Sequence, residues 1–249
     1  MITERQEKLL NFIIKEYVKT AKPVGSALVA KKGDFDLGPA SLRSEMCELE
    51  QAGYLSHLHT SGGRVPTDRA YRHFVNNLIE NDSEPTMNEK RKIKAVVSSS
   101  DDPYRLNQGI ARILSELSEN LVITKVLNDD NFYKVGLASL FEMPEFREFD
   151  RMFRLTSFFD EFDQMFEKIE REFFSGFKEE SALRFNVFIG RENSLPGVRE
   201  ETVMTARYDL PEGLEGLLTL VGPTRMDYGR NIGLVKYTTE QMRQIARQT

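Results

Sequence analysis

Two rhythms divide this chain. The first 80 residues repeat their apolar positions at helical spacing, and a long stretch beyond residue 180 repeats them at every second position. Residues 3–20 place Leu9, Leu10, Ile13, Ile14, Tyr17 and Val18 on one helical face, with Thr3 and Gln6 spaced as a capping box. Pro23 excludes the α conformation from Lys22 and predicts the end of that helix. A short helix over 24–32 follows, stopped by Gly33. A third begins at Pro39, which is preorganised for a first helical turn, and runs to Gln51 with Gly53 beyond it. Its buried stripe is Leu42, Met46 and Leu49, and its outer face carries Ala40, Arg43, Ser44 and Cys47. Residues 54–57 alternate like a strand, Gly62 and Gly63 supply a turn, and Arg64-Val65 returns; residues 67–79 read as one more helix with Tyr71, Phe74, Val75 and Leu78 inward. Three helices, a hairpin and a helix predict an N-terminal winged helix-turn-helix domain.

The polar stretch 80–86, with Pro85 and no period, predicts a linker. Helices are expected at 88–98 and at 103–125, the second on Leu106, Ile110, Ile113, Leu117 and Leu121, with a strand at 132–135. Phe158, Phe162, Met165, Phe166, Ile169, Phe173 and Phe177 form an aromatic stripe at helical spacing, which reads first as core and second as the wall of a ligand cavity. Strands follow on Leu183, Phe185, Val187 and Ile189, on Met204, Ala206, Tyr208 and Leu210, and on 217–221, before a last helix from Tyr228. The expected organisation is α+β: a domain over 1–80, a linker over 81–87, and a mixed domain with an antiparallel sheet over 88–249.

Composition narrows the class. A chain of 249 residues with 40% apolar and 29% charged residues has room for two domains and a sizeable core. It has one cysteine, which excludes a disulfide within the chain, and no apolar run near the ~18 residues of a membrane span. The charged, amphipathic N-terminus is unlike a signal peptide, and a cytoplasmic location is expected. Net charge is -5, but it is unevenly placed: residues 1–80 hold 11 Lys and Arg against 10 Asp and Glu, and the rest hold 23 against 29. A basic face on the first domain is compatible with that balance, so the overall sign does not exclude nucleic acid.

A recognition helix needs small polar groups and a cation on its outer face near its N-terminus. Pro39, Ala40, Ser41, Arg43 and Ser44 meet that need, with Arg43 suited to a guanine edge. In the hairpin, Thr60, Ser61, Gly62 and Gly63 offer hydroxyls and open backbone, and Arg64 extends from the returning strand toward phosphates or a minor groove. Arg69 and Arg72 add charge on the following helix. With Ser26, these eleven positions other than Arg69 and Arg72 form the expected contact set for double-stranded DNA. His57, His59 and His73 raise a metal site, but no aspartate or second cysteine stands at ligand spacing, and no metal or other cofactor is expected. No nucleophile elbow, phosphate loop or dinucleotide fingerprint occurs, so an enzyme is not expected.

The segments PVGS at 23–26, PASLRSEM at 39–46, LEQAGYL at 49–55 and HTSGGRVPTD at 59–68 resemble, in order and spacing, the HrcA heat-inducible transcription repressors. GPTRMDY at 222–228 is a second strong signature, and MPEF at 143–146 a weaker third. The resemblance implies a homodimer that binds an inverted-repeat operator upstream of chaperone genes, leaves it on heat stress, and depends on a GroEL-type chaperonin. It also implies a GAF-like second domain, reduced here because residues 121–126 pass almost directly to 132–136 where the family carries an inserted dimerising domain. The hairpin departs from the family in having glycine at 62 where alanine is usual. Two other classes remain open from the residues: a regulator sensing a small molecule through its C-terminal domain, and an interaction module that has lost DNA binding.

Overall fold

The computed structural model describes residues 2–57, 62–80, 84–129, 131–161 and 185–247. They form two compact units, 1–81 together with Thr224–Tyr228, and 82–223 together with 229–249. The units are taken in turn.

In the first unit, helix α1 (Glu4–Thr20) opens with the expected capping box: the Gln6 amide donates to Thr3 Oγ1 at 3.2 Å, and the Thr3 amide to Gln6 Oε1 at 3.0 Å. It ends before Pro23 intervenes, with Ala21 left-handed at φ 53°. Helix α2 (Ser26–Lys32) starts two residues later than the pattern predicts, because Val24 is held in a β-bridge to Arg64. Helix α3 (Pro39–Gln51) has the expected bounds and buries Leu42, Met46 and Leu49. Strands β1 (Leu55–Ser56) and β2 (Val65–Pro66) pair antiparallel, and helix α4 (Asp68–Glu80) follows. Leu9, Leu10, Ile13, Ile14, Val29, Leu42, Leu49, Tyr71 and Val75 are the core, each side chain contributing about 1.5–3 kcal/mol by its burial.

The second unit is α+β. Helices α5 (Met87–Val97) and α6 (Pro103–Ser118) precede strands β3 (Leu121–Val126) and β4 (Phe132–Val135). Helix α7 (Leu137–Glu142), a 3-10 turn and helix α8 (Phe149–Glu161) come next. Strands β5 (Phe185–Ile189), β6 (Glu201–Asp209) and β7 (Glu215–Pro223) and helix α9 (Tyr228–Ala246) complete it. The sheet is antiparallel throughout, in the order β4-β3-β7-β6-β5.

The strand pleat separates two faces. Leu121, Ile123, Val203, Leu217 and Val221 pack with Leu140, Phe146, Leu155, Phe158, Leu195 and Val198. On the other face Thr124 Oγ1 donates to the Asn107 carbonyl of α6 at 3.2 Å, and the buried Tyr208 hydroxyl bonds the Asn107 side chain. The helix expected to run to residue 125 is overturned: α6 stops at Ser118, Glu119 turns left-handed at φ 58°, and 121–126 is a fully buried strand. Leu121 happens to continue the helical stripe, and the β-branched Val122, Ile123 and Thr124 prevail. The aromatic stripe beyond Glu161, from Phe162 to Phe177, and Leu183 lie outside the described residues; Phe158, its first member, is core.

Candidate nucleic-acid interface

Helix α3 is seated by its apolar stripe and by Glu45, a buried carboxylate paired with Arg5. The opposite flank is open: Pro39, Ala40, Ser41, Arg43 and Ser44 are all exposed. Among the described residues no carboxylate pairs with Arg43. The far end of the helix is tied down. Arg69 Nη1 donates to the Ala52 carbonyl at 2.8 Å and lies over the Tyr54 ring at 4.7 Å, while Thr67 Oγ1 donates to the Gly53 carbonyl at 2.7 Å. Arg69 is thus at the C-terminal end of α3, about 20 Å along the axis from Pro39.

The hairpin is fixed to the connector between α1 and α2. The Val24 amide donates to the Arg64 carbonyl at 2.9 Å and the Arg64 amide returns the bond at 2.8 Å. Gly63 makes this approach possible, since a Cβ there would stand 2.6 Å from the Val24 carbonyl carbon and 2.7 Å from that of Pro23. Arg64 does not extend freely outward. Its side chain is 15% exposed, its Nε lies 2.8 Å from Glu50 Oε2, and its Nη2 donates to Cys47 Sγ at 3.7 Å. The other Glu50 oxygen pairs with His57 Nδ1. Burial raises the Glu50 carboxyl, but the His57 hydrogen bond and the charges of Arg64 and His57 outweigh it and hold the group below the usual carboxylate range.

Together these elements frame a half-open cavity of about 220 Å³, whose lining includes the connector residues Val24 and Gly25, Ser26 and Arg43, and Gly62, Gly63 and Arg64 of the hairpin. Ser26, Arg43, Gly62, Gly63 and Arg64, expected from the sequence as contacts, meet around this one space; Pro39, Ala40, Ser41 and Ser44 lie on the outer flank of α3. Thr60 and Ser61, with His59, lie outside the described residues. His57 and His73 go to different carboxylates, His73 Nε2 standing 3.3 Å from Glu7 Oε1. Among the described residues no three His, Cys, Asp or Glu side chains are grouped to hold a metal, and no helix is long and apolar enough to cross a membrane.

Sequence reasoning missed Glu50. The signal was present, because Arg43, Cys47 and Glu50 fall at i, i+4 and i+7 and share one helical face. It also flagged 222–228 without a role. Within the first unit, Arg225 Nη1 donates to the Val18 carbonyl at 3.0 Å, and the Tyr228 ring packs on Tyr71 with centroids 5.5 Å apart.

Residues 67–232 match the family model described as the HrcA protein C terminal domain. A match over so much of the chain places it among transcription repressors. The family is HrcA, and this chain belongs to it. Heat-inducible transcription repressor HrcA of Desulforudis audaxviator is 25% identical, the alignment covering 98% of each chain over 343 positions, so that relative carries stretches absent from these 249 residues. The same-named protein of Geobacter sulfurreducens is 26% identical over 96% of each chain. That of Thermoanaerobacter pseudethanolicus is 36% identical over 142 residues, 55% of this chain and 40% of its own. A crystal structure described as a hypothetical protein at 2.2 Å resolution superposes with a TM-score of 0.80 at 17% identity, covering 100% of this chain and 99% of that one, and shares the fold.

Proposed function

We propose that this protein is a sequence-specific DNA-binding repressor of heat-shock chaperone genes, acting as a homodimer on an inverted-repeat operator and released on heat stress. The single observation that carries the reading is the cavity in which Ser26, Arg43, Gly62, Gly63 and Arg64 meet beside the open flank of α3. Residues 1–80 are then a winged-helix DNA-binding domain, 81–87 a linker, and 88–249 a reduced GAF-like domain that pairs the chains, with a GroEL-type chaperonin supporting the active state. Helix α3 enters the major groove with Pro39, Ala40, Ser41 and Ser44 toward the base edges, and the hairpin, including Thr60 and Ser61, follows the backbone. The names of the relatives support the repressor role and its heat dependence.

An electrophoretic mobility shift with an inverted-repeat duplex tests the reading. A sequence-specific complex that weakens steeply with salt and is lost on warming is expected. Equal binding to unrelated duplexes, or none, would overturn it. Light scattering at two temperatures tests the pairing.

A further inference from the structure

We infer that the 220 Å³ cavity is a clamp for one phosphate group of the DNA backbone, closed by Arg43 from α3 and Arg64 from the hairpin. This deepens the proposed function and rests on it in one respect: it takes the backbone of the operator, and not free phosphate, as the source of that group.

Size is the first argument. The space is smaller than the ~300–1,000 Å³ pockets that take a drug-sized ligand, and it holds several water volumes of ~30 Å³ each. A tetrahedral anion suits it better than a base with its sugar. Charge is the second. Arg43 and Arg64 both line the cavity and, among the described residues, no Asp or Glu does, while Ser26 and two glycines add a hydroxyl-bearing residue and an approachable backbone.

Preorganisation is the third. The Val24–Arg64 bridge and the close packing of Gly63 fix the walls, and Glu50 fixes the Arg64 side chain through its Nε. Glu50 itself is not among the lining residues, so it orients the cation from behind without facing the anion. Glu50 is a positioning residue. The geometry also assigns Arg43 to the backbone and leaves the base edges to its neighbours.

Two measurements on the full chain test this. In the first, inorganic phosphate is titrated against the 1H–15N spectrum at constant ionic strength made up with chloride. Saturable shifts at Gly62, Gly63 and Arg64 Nε are expected, weakened about tenfold in Arg43→Gln. Arg43 is exposed, so this variant keeps the fold, whereas Arg64→Gln is checked by its thermal unfolding before it is used. Unsaturable shifts, or equal shifts in Arg43→Gln, overturn the clamp.

In the second, a neutral methylphosphonate replaces each operator phosphate in turn. One position per half-site is expected to cost the wild type about tenfold in affinity and Arg43→Gln less than about twofold, as coupled partners do. Operator binding with the same sensitive position in wild type and variant overturns the clamp while leaving the repressor reading standing. Saturable phosphate binding with no operator binding overturns that reading, retains the anion site, and assigns it to free phosphate.

Discussion

Arg43, Cys47 and Glu50 occupy one flank of α3, and Arg64 reaches back to the last two of them. That flank carries both signs of charge, and the two signs do different work. Arg43 faces the cavity, so Arg43→Ala should weaken binding to the operator and to its single-base variants by the same factor. Competition titrations against a panel of such variants would read this, and a selective gain for one variant would return Arg43 to a base edge. Glu50 gives a pH-dependent effect. Its carboxyl is held below the usual range, so its stabilising contribution is complete above that range and is lost as pH falls through the depressed value. Glu50→Gln should therefore remove part of the acid sensitivity of folding. Thermal midpoints measured from pH 7 to pH 3 should converge toward the acid end, and parallel curves would show that Glu50 is not coupled to Arg64 and His57.

Helix ends and anchors decide stability at the next scale. Glu119 holds a left-handed conformation to let α6 turn into β3, a strain that glycine does not carry, so Glu119→Gly should stabilise the protein by up to about 1 kcal/mol in urea unfolding. Helix α8 is fastened to β6 by Arg151, whose Nη2 lies 2.7 Å and Nε 2.9 Å from the Glu201 carboxylate. Burial raises the Glu201 carboxyl and Arg151 opposes it, so Arg151→Leu should cost about 3–5 kcal/mol at neutral pH, and less as acid protonates the stranded Glu201. Adding Glu201→Gln should restore much of the loss. The same junctions explain what the sequence made legible. Thr3 and Pro39 act within the first turns of their own helices, so those helix starts could be read locally. The α6–β3 boundary depends on the pairing of β3 with β4 and β7, and the Glu50–Arg64 pair on closure of the hairpin, neither of which periodicity encodes. The cavity could be foreseen as a set of residues and not as a shared space.

Across the whole molecule the charge is small and negative, -5, and the first 80 residues are close to neutral. Broad attraction to DNA is therefore weak, and on the proposed function affinity comes from a few well-placed cations. That makes the salt dependence countable. Each phosphate neutralised on duplex DNA contributes about -0.9 to the slope of log K against log salt concentration. Removing one phosphate contact per chain by Arg64→Gln should therefore reduce the slope by about 1 if one chain binds, and by about 2 if two chains sit on an inverted repeat. Operator titrations between 50 and 200 mM salt, with wild type and variant side by side, read clamp and stoichiometry in one experiment. A reduction near 2 on the palindrome and near 1 on an isolated half-site would place one clamp in each chain of a pair. An unchanged slope on both duplexes would mean that Arg64 stays with Glu50 when DNA is bound, and that the cavity holds no phosphate.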